Sequence, residues 1–463
     1  MLNRDQKILF VIASSALILR VALFGFGLFN AGTEYFFSFD DALGYVEPAK
    51  NLIEGRGYSV DYYGVMYPEV GRTPGYPLLI AASLALSKSF LPLIILQLVI
   101  GSMLPILAYY LALHIFENRH AAMAAAVFFA LDPLIIALST LLMTEIIFMA
   151  LFLGGSLLCV KACEVDTTRR WQFIIWGGLA LSYATLMRPV LLYTLPVFAI
   201  YLIYKLFRRI SWRQAMYSGL AFLIALSAFI APWIVRNEKR AGLAELTSLS
   251  SIVAYFYMAP SILSIVEGKT YSEERQELRL RAKATGMTEL REPKNMPYFK
   301  REAIQIARDH PKETLLLAGL SLFHLLTHDG YLDTFLQTGL LAHAPQSTAQ
   351  INALARGEFS KLFEIAKSFL SFPWILFVMT RLLWIFIAVM AAVGTFYLMI
   401  KKPERREKLI FALTVMATLA IATLPVALGI HGRLRIPIDV FLIPLATMGV
   451  LYMLEKLSFH RPL

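Results

Sequence analysis

The sequence predicts an all-α polytopic membrane protein of about ten transmembrane helices, or about twelve on an alternative count, with interfacial helices in its outer loops. Three observations predict it. Of 463 residues, 58% are apolar and only 16% are charged, where soluble domains carry about 25% charged residues. Mean hydropathy is +0.63. Apolar runs of about 18 or more residues recur along the chain.

The runs fall at 7–30, 91–116, 121–138, 141–160, 172–187, 190–207, 214–234, 374–400, 409–429 and 435–454. The first resembles a secretion signal only superficially. Its apolar stretch is too long and no small-residue cleavage site follows, so a retained span is expected. Basic residues sort the loops. Arg4 and Lys7 precede the first run, Arg119 follows the second, and Lys161, Arg169 and Arg170 follow the fourth. Lys205, Arg208, Arg209 and Arg213 separate the sixth and seventh. Lys401, Lys402, Arg405, Arg406 and Lys408 separate the eighth and ninth, and Lys456 and Arg461 follow the last. Ten crossings put all of them on one side. The expectation is a bacterial-type inner membrane, a cytoplasmic N-terminus and an extracytoplasmic site.

The expected organisation is a membrane module over 1–240 with a first outer loop at 31–90, an outer segment at 241–373, and C-terminal helices at 374–463. The apolar stretch 314–326 is short for a span. An interfacial or re-entrant helix is expected there, with a crossing pair formed with 362–380 as the alternative. Cys159 and Cys163 lie on one helix face on the predicted cytosolic side, where a disulfide is not expected. The net charge of +11 is explained by topology, so no nucleic-acid partner is expected.

Between the first two runs lies Phe36–Leu79, a loop of about 40 residues with six tyrosines, where about 5 residues suffice to join two elements. Within it, Asp40 and Asp41 open a helical pattern carried by Ala42, Tyr45, Ala49, Leu52 and Ile53, and Gly55 and Gly57 end it. Asp41 then stands at the positive end of a short surface helix.

Other polar residues fall at the same outer end: Arg72, Asp132, Glu145, Arg188, Arg236, Lys239, Arg240, His431, Arg433 and Arg435. Charges beside spans default to functional hypotheses, and these could converge on one cavity. Bland readings stand beside each. Asp40 or Asp41 could be only a helix cap, and the arginines could anchor lipid headgroups. Asp132 before Pro133 reads better as a turn or cap. Most tyrosines read as an interfacial belt, while Tyr45, Tyr58 and Tyr76 are candidates to line a sugar or acceptor site. Arg20 and Arg381 lie within runs and stay unassigned. His324, His328 and Asp329 are the one place where a divalent cation would sit, but a further ligand is lacking, so no metal and no cofactor is expected. There is no G-x-x-x-x-G-K-[ST], G-x-S-x-G or H-E-x-x-H, and no nucleotide-binding glycine fingerprint.

Six motifs in order carry a resemblance. They are D-x-x-x-Y-x-x-x-A with L-x-x-G-x-G-Y (Asp41 to Tyr58), R-x-P-G-Y-P (Arg72 to Pro77), T-E (Thr144, Glu145), R-P (Arg188, Pro189), P-W-x-x-R-N-x-x-x-x-G (Pro232 to Gly242) and R-x-R-x-P (Arg433 to Pro437). Together they resemble GT-C glycosyltransferases of the family 39/83 type, which includes aminoarabinose lipid A transferases and protein mannosyltransferases. The resemblance implies the GT-C fold and transfer of a sugar from a polyprenyl-phosphate donor, with inversion, to a lipid, glycan or protein acceptor. Lipopolysaccharide is one such acceptor, and membrane lipids are the remaining partners. Asp41 matches the first acid of the family's paired-acid motif. Here Ala42 follows and the second acid, Asp40, precedes it. Glu145 matches the second-loop acid.

The chemistry suits these residues. A positioned carboxylate, here Asp41, can take a hydroxyl proton as general base. Arg433, Arg435, Arg236, Arg188 and Arg72 are candidates to hold the leaving phosphate, since arginine makes bidentate contacts to phosphate. Two rivals remain: a polysaccharide polymerase or ligase, and a lipid-linked sugar transporter or flippase. A transporter predicts internal repeats and broken mid-membrane helices, and neither is read here.

Overall fold

The structure is a computed structural model that describes residues 3–62, 64–165, 167–287, 289–341, 372–429 and 431–458. The chain is a multi-pass, all-α membrane protein apart from one short hairpin. Among the described residues, eight helical stretches are long and apolar enough to cross a membrane: Arg4–Phe37, Leu91–Phe116, Glu145–Ala162, Trp212–Ala241, Leu249–Glu267, Ile375–Lys401, Pro403–Ala427 and Ile436–Leu457.

Helix α1 (Arg4–Ala31) begins at a capping box in which Asn3 and Gln6 exchange hydrogen bonds, and stops at Gly32 with φ of +55°. A 3-10 turn leads to α2 (Asp41–Ile53), whose start and glycine stop follow the sequence pattern. The hairpin β1 (Ser59–Tyr62) and β2 (Val65–Pro68) was not foreseen in an all-α reading. Gly64, at φ of +84°, makes its turn, and the Asp61 carboxylate accepts the Gly64 N–H at 2.7 Å. Helices α3 (Gly75–Ser87) and α4 (Leu91–Phe116) complete the return to the bundle.

The expected span 121–138 is broken into α5 (Arg119–Leu131) and α6 (Pro133–Leu138). Pro133 has no N–H to give to Phe129, so the helix ends there. Arg20 of α1 takes the carbonyls this leaves: its guanidinium reaches Phe129 O at 3.1 Å and Ala130 O at 3.3 Å, with Ser139 Oγ at 3.1 Å. That accounts for a fully buried arginine inside the bundle. Asp132 caps α6 through the Ile135 N–H at 2.9 Å and accepts the Tyr331 hydroxyl at 2.6 Å.

Helix α7 (Glu145–Ala162) packs on α8 (Thr167–Met187). The expected span 190–207 is a 3-10 turn followed by α9 (Leu195–Phe207), whose 13 residues rise about 20 Å, short of a bilayer core. Helix α10 (Trp212–Ala241) lies against α8.

The segment 241–341 holds helices that the sequence reading did not single out. Residues 249–267 form α11 (Leu249–Val253), a π-helical turn and α12 (Ala259–Glu267). By length and composition they could cross a membrane. Their buried face, Tyr255, Phe256, Ala259 and Leu263, joins α13 (Tyr271–Ala284) and α14 (Met296–Asp309) in a second core that also takes in Val70 of the first loop. The apolar stretch 314–326 lies in α15 (Pro311–Thr327), followed by α16 (Tyr331–Gln337). Of its suggested partner 362–380, residues 362–371 fall outside the described residues.

Helices α17 (Phe372–Lys401), α18 (Arg406–Thr423) and α19 (Ile436–Ser458) close the bundle. Where α17 and α19 cross, a Cβ on Gly394 would collide with Leu445 O, and one on Gly449 with Met390 O. Small residues let the two backbones touch.

The basic clusters do meet at one end. Arg119 pairs with Asp5 at 2.5 Å, Lys205 and Arg208 share Glu407, and Lys408 bridges Glu117 (2.9 Å) and Glu164 (3.1 Å). Glu164 follows the C-terminus of α7 while Glu145 opens it, so the 18 residues of α7 separate this end from Glu145 by about 27 Å. Cys159 and Cys163 are buried and free.

Candidate functional site

Asp41 is the centre of an arginine cluster. Its Oδ1 accepts from Arg72 Nη2 at 2.6 Å and its Oδ2 from Arg433 Nη2 at 2.6 Å. The side chain keeps 29% of its exposure, so the group faces an opening rather than the core. Burial by itself would push the Asp41 carboxyl up. The charges of Arg433 and Arg72 outweigh it and hold the group well below the ordinary carboxylate range.

Glu145 is 3% exposed and pairs with Arg188 Nη1 at 2.5 Å. Arg433 Nη1 stands 4.0 Å from the same Glu145 oxygen, which links the two acids through one arginine. Segments far apart in sequence thus converge: the start of α2, the turn before α3, the start of α7, the end of α8 and the turn before α19. Three guanidiniums face two carboxylates, leaving one positive charge in surplus.

Arg72 is held on several sides. Glu69, a buried carboxylate, accepts the N–H groups of Gly71 and of Arg72, the latter at 2.6 Å. Burial pushes the Glu69 carboxyl up. Arg72 Nη1 donates to the Tyr45 hydroxyl at 3.2 Å, and its guanidinium lies 4.7 Å from the Tyr45 ring centre. Gly44 leaves room beneath, since a Cβ there would meet Arg72 Nε at 3.1 Å. Sequence reasoning missed Glu69, because nothing local marks an acid that works through the backbone N–H groups two and three residues on. Arg433 is steered differently: its backbone N–H donates to His431 Nδ1 at 3.2 Å, and its guanidinium stands 5.7 Å from the Phe39 ring centre.

Other expected site residues take different places. Asp40 is exposed, makes no cap hydrogen bond, and among the described residues forms no ion pair. Arg435 is 1% exposed: Nε meets Asp439 Oδ1 at 2.9 Å, Nη1 donates to His328 O at 2.6 Å, and the guanidinium lies 3.3 Å from the Trp384 ring centre. It is turned into the bundle and is not presented to a phosphate. Arg236 donates to Glu69 O at 2.5 Å and Tyr58 O at 2.6 Å and stacks on Trp233 at 4.7 Å. With Asn237 holding Glu245 O at 2.9 Å and Trp233 holding Leu246 O at 3.0 Å, it clamps the loop before α3 and the chain after α10 to α10. Tyr58 closes the same clamp, donating to Arg72 O at 2.8 Å. Tyr76 is fully buried and donates to Gln97 Oε1 at 2.5 Å, so it offers no face to a sugar. Of the three tyrosines, Tyr45 meets the Arg72 guanidinium with its hydroxyl and ring, while Tyr58 meets the Arg72 carbonyl.

His324, His328 and Asp329 are not gathered as a ligand set. Arg381 Nη2 stands 3.0 Å from His324 Nδ1, and Asp329 Oδ1 accepts the Tyr331 N–H at 3.0 Å. Among the described residues, the one group of three metal-capable side chains with mutually close ligand atoms is Glu267, Glu274 and Glu277, at the α12–α13 corner. Lys269 fills it, 2.8 Å from Glu267 and 2.7 Å from Glu277.

Residues 71–235 match the family described as dolichyl-phosphate-mannose-protein mannosyltransferase. The matched stretch contains Arg72, Glu145 and Arg188 of the cluster. In structure, the chain is similar to the Archaeoglobus fulgidus oligosaccharyltransferase, crystallised as a complex with Zn and sulfate, at a TM-score of 0.46 and 12% identity. That likeness covers 97% of this chain and 50% of the other, so the chain spans half the length of that protein. No curated relative matches. Motif resemblance and family match agree: residues 71–235 of this multi-pass chain are similar to the dolichyl-phosphate-mannose-protein mannosyltransferases.

Proposed function

We propose that the chain transfers a sugar from a polyprenyl-phosphate donor to a hydroxyl of a lipid, glycan or protein acceptor at the outer face of the membrane, with inversion. Asp41 takes the acceptor's proton. The observation that carries this reading is the Asp41 carboxylate held among Arg72, Arg433 and the Glu145–Arg188 pair, at the end of the bundle away from the basic clusters.

The chemistry follows from charge. A hydroxyl is a weak nucleophile until a positioned base accepts its proton. As the glycosidic bond breaks, the departing phosphate gains charge. The surplus positive charge of the cluster suits that oxygen, and a donor aimed at developing charge is worth about 3–4 kcal/mol. Inversion needs one displacement and one base. A retaining route needs a second carboxylate as nucleophile. Glu145, nearly buried and tied to Arg188, is poorly disposed for that and better suited to fixing Arg188. The prenyl tail would lie along the spans, which fits the absence of any nucleotide fingerprint in the sequence.

The test is mass spectrometry of extracted lipids and surface glycans from cells with and without the protein. The expected result is that one acceptor loses one sugar while its polyprenyl-phosphate donor accumulates. Unchanged profiles in both strains, with the acceptor intact, would refute transfer.

A further inference from the structure

We propose that Asp41 and the donor's phosphate compete for Arg433, so that the base becomes active only when the donor is bound. This rests on the transfer reading above and adds its regulation.

Both Asp41 oxygens are occupied, Oδ1 by Arg72 and Oδ2 by Arg433, each at 2.6 Å. A carboxylate so held has one lone pair of each oxygen engaged and two cations beside it. It is a poor acceptor for a hydroxyl proton, and the depressed carboxyl described above points the same way. A catalytic base needs a proton affinity nearer the working pH. The resting site is therefore locked, and something must draw a cation away.

The two arginines are not equally free to move. Arg72 is fixed by Glu69 through its own backbone N–H, by the Tyr45 hydroxyl and ring, and by the close fit over Gly44. Arg188 is committed to the buried Glu145. Arg433 sits on the turn between α18 and α19. Beyond Asp41, its guanidinium has among the described residues only the longer 4.0 Å approach to Glu145 and the 5.7 Å approach to the Phe39 ring. It is the guanidinium that a phosphate can recruit.

The balanced step is as follows. The donor phosphate binds Arg433, and Asp41 Oδ2 is released while Arg72 still orients Oδ1. The acceptor hydroxyl gives its proton to Oδ2 as its oxygen bonds to the anomeric carbon. The bond from that carbon to the phosphate oxygen breaks, and its electron pair leaves on the lipid phosphate beside Arg433. Departure of the lipid phosphate and loss of the Asp41 proton to water let Arg433 return. Acceptor activation thus follows donor binding, and the order of binding is built into one arginine.

Competition makes an unusual forecast: removing the Asp41 charge should strengthen phosphate binding. The probe is farnesyl phosphate, with farnesol as the tail-only control, titrated against the purified full chain in detergent. Asp41→Asn is expected to bind farnesyl phosphate about ten-fold tighter than the native chain, since charge-assisted hydrogen bonds no longer have to be given up. Farnesol binding should not change, and Arg433→Ala should bind farnesyl phosphate and farnesol alike. Should Asp41→Asn not fold, Asp41→Ser serves the same comparison. Equal or weaker farnesyl phosphate binding by the neutral variant overturns the competition. The transfer reading is separately decided: loss of transfer in that variant leaves the base assignment standing without the switch, and retained transfer removes both.

Discussion

Arg435 separates two roles for one residue. From sequence it is a donor-phosphate ligand; in the structure its guanidinium is spent on Asp439, on the carbonyls of Leu325 and His328, and on the face of Trp384. Arg435→Ala would leave the Asp439 carboxylate, which is 2% exposed, without its counter-charge. Removing one partner of a buried pair costs about 3–5 kcal/mol. Unfolding entropy grows with chain length, so in a chain of this size each kcal/mol moves Tm by about 1 °C. The expected loss in Arg435→Ala is thus about 3–5 °C, read by thermal unfolding in detergent. Removing both charges in Arg435→Met with Asp439→Leu should recover most of it, because replacing a whole buried pair by apolar side chains is often near neutral. Donor KM should stay close to native in any variant that folds. A native Tm in Arg435→Ala together with a raised donor KM would refute the anchoring role and return Arg435 to the phosphate site.

Three further outcomes follow from named contacts. Glu145→Gln removes the charge that fixes Arg188, so turnover should fall about 100-fold with abundance unchanged; full turnover would make the pair a packing feature only. His431, pushed down to about 4 by burial and then by Arg433, stays neutral in the folded chain while an unfolded histidine takes its proton near 6.5. Stability should therefore decline as pH falls from about 6.5 to about 4, by up to about 3 kcal/mol from this group; His431→Gln should flatten that part of the unfolding profile, and an unchanged profile would contradict it. Gly449→Ala places a Cβ against Met390 O, and such overpacking should cost about 1–3 kcal/mol or more, measured as a lowered Tm.

Short-range features were legible. Helix α2 could be read because its apolar spacing, its two acids and its glycine stops all lie within about 20 residues. The turn reading of Asp132 followed from the Asp-Pro pair, and the cap at Ile135 agrees with it. What lay beyond reach was which polar residue faces which. Arg433 and Arg435 are two positions apart, and hydropathy treats them alike. One meets Asp41 across 392 residues of sequence. The other turns inward to Asp439, four residues on along α19, which was the available clue. The 59–68 hairpin was missed although Gly64 and the alternation around it are hairpin signals. Residues 249–267 were not singled out in the sequence: they are apolar and part of them covers a second core, and length alone does not separate that from a span.

The most direct test of the account concerns the Asp41 carboxylate itself. Cells lacking the chain would be supplied with either the native protein or Asp41→Asn, matched for abundance, and their glycans and polyprenyl-linked sugars compared by mass spectrometry. Restored sugar on the acceptor with the native chain, and donor accumulation without transfer in Asp41→Asn, is the predicted result. Equal restoration by both would contradict the assignment of Asp41 as the base.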